Sequence, residues 1–224
     1  MYLVGENVSQ PNLKQARRVV IVENEPLMRD LLGKAVESAG FIVTTAANAA
    51  DAKRTLKSVD PDVFVIDIEL GPGPNGFDLA TALSKESPAV GIVFLTNLPD
   101  PKFAGKQAST VKKNHAYLHK SDIHSGSELV EAIEAVLRDE VTQEYRHDLA
   151  SNRPMANLSL RQVEILKLVS EGATNSQIAS SRGTSVRAVD AMVSSYLSLG
   201  IDQLDSNLRV EAARRYHQIR SQVD

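Results

Sequence analysis

From Arg17 onward the sequence alternates short β-branched apolar runs with amphipathic stretches, and few folds accept that pattern. Val19-Val20-Ile21-Val22 is too short for a helix and has no polar face, as expected of a strand buried on both sides. Pro26 suits a first helical turn. Leu27, Leu31, Leu32, Ala35 and Val36 follow at helical spacing, and Gly40 ends the run. The same reading predicts strands at residues 41–45, 63–66, 91–95 and 116–118, and helices at residues 49–59 and 76–85. Residues 98–114 contain Pro99, Pro101 and Gly105 with little apolar periodicity, so a fourth helix there is short or irregular. Leu129, Val130, Ile133, Val136, Leu137, Val141 and Tyr145 mark a long fifth helix. Alternating strands and helices imply a parallel sheet covered on both faces by right-handed crossovers, so residues 17–147 are expected to form an α/β doubly wound five-stranded domain.

Residues 148–157 are polar, hold Pro154 and read as a linker; from residue 158 to 222 every segment reads as helix. Charge divides the same way: residues 1–150 carry net −5 and residues 151–224 net +2 within the total of −3. A 42% hydrophobic, 24% charged chain buries a core and is not a disordered one. The absence of cysteine removes disulfides, thiolate zinc sites and Cys nucleophiles together. No apolar run spans a bilayer and the start lacks a signal-peptide pattern, so a soluble cytoplasmic protein is the expectation. The five histidines lack metal-ligand spacing, no phosphate-binding Gly-Lys-Ser/Thr loop is present, and no nucleophile–base pair stands out. An enzyme is therefore not expected. Aromatics at 4% without Trp argue against a base-stacking single-strand binder.

In a parallel sheet the strand C-termini share one edge, and ligands bind there. Glu23 and Asn24 follow the first strand, Asp67 the third, Thr96 the fourth and Lys120 the fifth. A polar residue after an apolar strand is what any strand end looks like. Together, however, these side chains bring carboxylates suited to Mg2+ or phosphoryl transfer beside a hydroxyl and an ammonium that can hold phosphoryl oxygens.

Over residues 17–138 the chain resembles the response-regulator receiver family, with its flavodoxin-like fold. The matches are Val-Val-Ile-Val-Glu-Asn-Glu-Pro, Asp-Val-Phe-Val-Ile-Asp, Val-Phe-Leu-Thr and Ala-Tyr-Leu-His-Lys. The resemblance implies that Asp67 accepts phosphate from a sensor histidine kinase, with Mg2+ held by Glu23, Asn24, Asp67 and the backbone carbonyl of Glu69. Thr96 and Lys120 would contact the phosphoryl group, and Tyr117 would be the rotating aromatic. Asn24 stands where a second acid is usual, so the site loses a charge and Mg2+ affinity is expected to fall. The loop Gly71-Pro72-Gly73-Pro74-Asn75-Gly76 and the interval from Thr96 to Lys120 are both longer than usual.

In the C-terminal part, Ser159-Leu160-Arg161-Gln162 and Thr174-Asn175-Ser176-Gln177 are capping boxes, each with a hydrophobic staple. Ala179, Gly183, Val189 and Met192 have the spacing of a helix-turn-helix, with Gly183 free to take φ > 0. Residues 157–222 resemble the LuxR/FixJ-type output domain, a four-helix helix-turn-helix module, through Leu-Ser-Leu-Arg-Gln-Val-Glu-Ile-Leu-Lys-Leu-Val-Ser-Glu-Gly, Thr-Asn-Ser-Gln-Ile-Ala and a later Leu-Gly-Ile. Thr184, Ser185, Arg187, Asp190, Ala191 and Ser194 are expected to face the major groove, with Asn175, Ser176 and Arg182 near phosphates. Asp190 stands where the family usually has a DNA-contacting lysine. A last helix over residues 206–221 carries Leu208, Ala212, Tyr216 and Ile219 on one face, and either pairs two copies into a homodimer or closes its own domain.

The leading expectation is thus a DNA-binding transcription regulator controlled by phosphorylation of Asp67, with double-stranded DNA and a kinase as partners and no membrane. One alternative keeps DNA binding without phosphorylation. Another is a signalling adaptor whose last domain binds protein.

Overall fold

The computed structural model describes residues 16–153, 155–195 and 208–220. The sequence motif Leu199-Gly200-Ile201 and the apolar positions Tyr196 and Leu197 lie outside them.

Five strands, β1 (Arg18–Val22), β2 (Ile42–Ala46), β3 (Val63–Ile66), β4 (Gly91–Thr96) and β5 (Ala116–His119), form one sheet in the order β2-β1-β3-β4-β5. All four pairings are parallel. This is the order of flavodoxin-like doubly wound sheets, whose ligands sit outside the strand C-termini. Helices α1 (Pro26–Ser38), α2 (Ala49–Val59) and α3 (Gly76–Glu86) supply the first three crossovers, and α4 (Gly126–Leu137) follows β5. Successive strand residues serve opposite faces. Val20, Val22, Phe64, Ile66, Ile92, Phe94 and Tyr117 build one core, whereas Val19, Ile21, Val63, Val65, Val93, Leu95 and Leu118 build the other.

Between β4 and β5, where a short or irregular helix was expected, only 3-10 turns form, at Pro101–Ala104 and Ala108–Thr110. Asp100 caps the first by accepting from the Lys102 amide at 2.8 Å, and Gly105 ends it at φ 72°. The expected long helix stops at Leu137, before Val141 and Tyr145, because Asp139 turns the chain at φ 58°. Val141 and Tyr145 still pack on the second core, which is why the apolar periodicity outruns the helix. Residues 143–149 then fold back along β5, where Arg146 makes a parallel bridge to Tyr117. Arg146 also grips Asp148 with two bonds of 2.8 Å, and Asp148 is buried. The linker expected from residue 148 is thus anchored at its start.

His115 lies beneath this region, buried, with its ring edge-on to Phe94 and no partner for Nδ1. Burial, reinforced by Lys112 and Arg146, pushes its pKa down to about 4. A histidine depressed in the folded state gives stability that is present above the ordinary value of about 6.5 and lost as pH falls towards the folded value. The expected loss is about 3 kcal/mol across that window. Urea melts at pH 7.5 and pH 4.5 of the natural chain and of His115→Phe check this: the gap between the two must change with pH.

Beyond residue 158 lie α5 (Leu160–Ser170), α6 (Asn175–Ser181), α7 (Val186–Ser195) and α8 (Leu208–Arg220). Both capping boxes form, at Ser159 with Gln162 and at Thr174 with Gln177. Gly183 takes φ 60° at the turn between α6 and α7, and Ala179, Val189 and Val193 are buried between them. Ala212, Tyr216 and Ile219 of α8 are buried, leaving Arg214, His217 and Gln218 exposed together with Val210. Three of the four apolar positions expected on one face of α8 are therefore spent within the chain, and the Leu208 side chain lies outside the described residues. Leu158, Val163, Leu166 and Tyr216 belong to the same continuous core as the α3 face of the sheet.

Candidate phosphoacceptor site and helix-turn-helix face

The loops after β1, β3 and β5 converge at the C-terminal edge of the sheet. Glu23 and Asp67 are both buried there, 1% and 7% exposed. The Lys120 ammonium joins them, 2.7 Å from Glu23 Oε2 and 3.0 Å from Asp67 Oδ2. The remaining carboxylate oxygens accept from backbone amides: Glu23 Oε1 from Glu25 at 3.1 Å, and Asp67 Oδ1 from Glu69 at 3.1 Å. Burial raises the Glu23 pKa, with Asp67 adding to the rise and Lys120 opposing it. Burial alone would lower the Lys120 ammonium, but the Asp67 and Glu23 charges outweigh it and hold the pKa above its ordinary value. A lysine that stays charged between two buried carboxylates is a fixed cation for an incoming anion.

The other residues singled out in the sequence are less converged. Asn24 is exposed and Glu69 presents its amide to Asp67. Thr96 is fully buried, with Oγ1 accepting from the Leu98 amide at 3.4 Å. Tyr117 is fully buried and donates its hydroxyl to the Leu98 carbonyl at 2.8 Å. Burial, then the charges of Asp100, Asp148 and Asp67, holds its pKa well above the ordinary value. Leu98 is thus held at its amide by Thr96 and at its carbonyl by Tyr117. The sequence reading missed Leu98 and Asp100. Their only signal was the run Asn97-Leu98-Pro99-Asp100-Pro101, a turn with a capping acid.

On the C-terminal helices, Ser185, Arg187, Asp190, Ala191 and Ser194 are exposed along α7, and Thr184 is half-buried before it. Ser185 Oγ caps α7 by accepting from Ala188 at 3.2 Å. Asn175 donates to the Asp190 carboxylate and accepts from Arg209, so the acid on α7 is tied to α6 and backed by a cation. Ser176 is exposed beside them. Arg182 instead pairs with Glu164 at 2.8 Å within the domain.

A doubly wound sheet with a lysine-bridged carboxylate pair at its ligand edge, followed by a helix-turn-helix, defines a signal-receiving protein with an output module. The chain belongs to the response regulator receiver domain family, whose model matches residues 19–134. Among its relatives is the oxygen regulatory protein NreC of Staphylococcus haemolyticus, 26% identical over 161 residues, covering 67% of this chain and 74% of the relative. The transcriptional regulatory protein LiaR of Bacillus subtilis is 24% identical over 208 residues, covering 89% and 96%. In fold, the chain is similar to RcsB from Salmonella enterica serovar Typhimurium bound to promoter rprA in the presence of phosphomimetic BeF3-. That match has a TM-score of 0.57 at 17% identity, covering 90% of this chain and 98% of RcsB. No helix among the described residues is long and apolar enough to cross a membrane.

Proposed function

We propose that this chain is a cytoplasmic DNA-binding response regulator in which Asp67 accepts a phosphoryl group from a sensor histidine kinase. The observation that carries this reading is the Lys120 ammonium seated between Asp67 and Glu23. An Asp67 oxygen attacks phosphorus, the bond from phosphorus to the kinase histidine nitrogen breaks, and an acyl phosphate forms on Asp67. Lys120 then exchanges a carboxylate oxygen for a phosphoryl oxygen, which lowers the cost of placing that charge at a buried edge. Glu23, Asp67 and the Glu69 carbonyl would hold Mg2+, which when bound neutralises phosphoryl oxygens. Two carboxylates fit an ion that keeps most of its shell as water, while neutral Asn24 and the nearby Lys120 charge weaken its hold.

The output is read through Thr184, Ser185, Arg187, Asp190, Ala191 and Ser194, with Asn175 and Ser176 near the phosphate backbone. The likeness to LiaR, a transcriptional regulatory protein, supports transcriptional control, and the likeness in fold to promoter-bound RcsB supports double-stranded DNA as its target. A homodimer on a two-fold symmetric operator follows from the usual symmetry of helix-turn-helix pairs. The unit boundaries that go with this function are a receiver at 17–147, a linker at 148–157 and an output domain at 158–222.

Acetyl phosphate with Mg2+ is expected to add one phosphoryl mass to the natural chain and none to Asp67→Asn. An unmodified natural chain, beside a labelled two-acid receiver, rejects the reading. The inward, hydrogen-bonded Tyr117 favours a second reading, a receiver held in one state and used as a partner-binding platform. An Asp67→Asn chain that regulates and dimerises normally selects it.

A further inference from the structure

Asp190 lies exposed on α7, a carboxylate on a face that DNA phosphates would repel. Its surroundings hold it there. Asn175, the first residue of α6, donates its side-chain amide to Asp190 Oδ1, and its amide oxygen accepts from the Arg209 guanidinium of α8. The amide fits only this way round. Reversed, its oxygen would face the carboxylate and its NH2 the guanidinium, and neither pair could bond. Three side chains from three helices thus form one relay, from a cation through a neutral dipole to the acid. Asp190 Oδ2 has no hydrogen-bond partner among the described residues. Arg187, three residues before Asp190, and Ser194, four after it, are exposed on the same face of the helix.

We propose that Asp190 reads the exocyclic amine of a cytosine in the major groove, with Asn175 and Arg209 as its positioning residues. This rests on the DNA-binding reading above. An ionised carboxylate only accepts hydrogen bonds, so it pairs with the bases that offer an amine in that groove, cytosine through N4 and adenine through N6. Guanine and thymine present only acceptors there and turn lone pairs towards it. The adenine amine lies between two acceptors, its own N7 and O4 of the paired thymine. The cytosine amine has an acceptor on one side only, O6 of the paired guanine, so cytosine suits the acid best. A freely rotating side chain could swing away from an unfavourable base. One tied at Oδ1 cannot, so the wrong base meets the full repulsion. Arg209 stands behind the relay as a countercharge, which offsets repulsion from the DNA backbone without placing a cation on the reading face. A relay that merely braced the helices would strengthen binding to every duplex alike.

The test is selection of duplexes from a random pool by the full chain, with and without beryllofluoride, followed by titration of the selected duplex and its single-position variants. The natural chain is expected to require cytosine at one position per half-site and to lose roughly tenfold in affinity for another base there. Asp190→Asn, which can donate as well as accept, is expected to flatten that position alone. It is also expected to bind unrelated duplexes more tightly, because a negative charge is gone. Asp190→Lys is expected to exchange cytosine for guanine, whose O6 and N7 accept from an ammonium. Arg209→Gln and Asn175→Ala are expected to lower the discrimination at the same position and leave the other positions as they are. Equal loss on every duplex makes the relay a brace and overturns the positioning role. A motif indifferent to Asp190→Asn, or one whose Asp190-dependent position is not cytosine, overturns the proposal and leaves the DNA-binding reading intact. A natural chain that enriches no duplex in either state overturns both.

Discussion

Replacing Lys120 with methionine is expected to destabilise the chain by about 3–5 kcal/mol at pH 7, the usual cost of breaking a buried ion pair by removing one partner. The methionine fills a similar volume but leaves Glu23 and Asp67 facing each other in a buried edge without the cation now 2.7 Å and 3.0 Å away. The loss has a definite pH dependence. Glu23 is already raised by burial and by Asp67, with Lys120 opposing the rise. Without Lys120 its folded-state pKa rises further above that of the unfolded chain. Such a group favours folding below the unfolded pKa and disfavours it increasingly as pH climbs through the folded one. The deficit is therefore expected to be small near pH 4 and full at neutrality, and Lys120→Met/Glu23→Gln is expected to recover much of it. Urea titrations at the two pH values measure this. A Lys120→Met chain as stable as the natural one at pH 7 shows that the ammonium does not hold the edge together.

Gly76→Ala is expected to be nearly as damaging for a steric reason. A Cβ on Gly76 would lie 2.3 Å from the Asp67 carbonyl oxygen and 2.8 Å from Ile68 Cα. Both are backbone atoms and cannot swing aside, so the β3–α3 connection must move and take Asp67 with it. Overpacking of this kind costs about 1–3 kcal/mol or more, and here the displaced residue is the candidate acceptor. Lower thermal stability and loss of acetyl-phosphate labelling are expected together. Gly33→Ala is the matched control, because its Cβ would sit an ordinary 3.6 Å from Thr45 Cγ2 within α1. There alanine is expected to be neutral or to stabilise by about 0.5–1 kcal/mol. A Gly76→Ala chain that matches Gly33→Ala shows that the loop is more yielding than its packing implies.

The sheet and its ligand edge were legible because a parallel strand leaves a clear sequence trace, an apolar β-branched run with a polar residue at its end. Val19–Val22 before Glu23 and Val63–Ile66 before Asp67 are such traces, and parallel order alone brings their ends together. The end of α4 was hidden because Val141 and Tyr145 continue to bury on the same core after the helix has stopped, so periodicity reports burial instead of backbone conformation. The Asp100–Arg153 contact was hidden for another reason. Its partners are 53 residues apart in two stretches without a period, and nothing local to either specifies the other. The engagement of Arg182 with Glu164 was equally out of reach, since a basic residue near a turn reads alike whether it faces a phosphate or a neighbouring helix.

The strip running back along β5 also limits how two such molecules can meet. An outermost strand ordinarily offers a row of free amides and carbonyls that another chain can zip onto. Here the place beside Tyr117 is already taken by Arg146, which is itself pinned to Asp148. Association on that flank must proceed through side chains, so its strength answers to point charges and salt instead of ribbon-to-ribbon accretion.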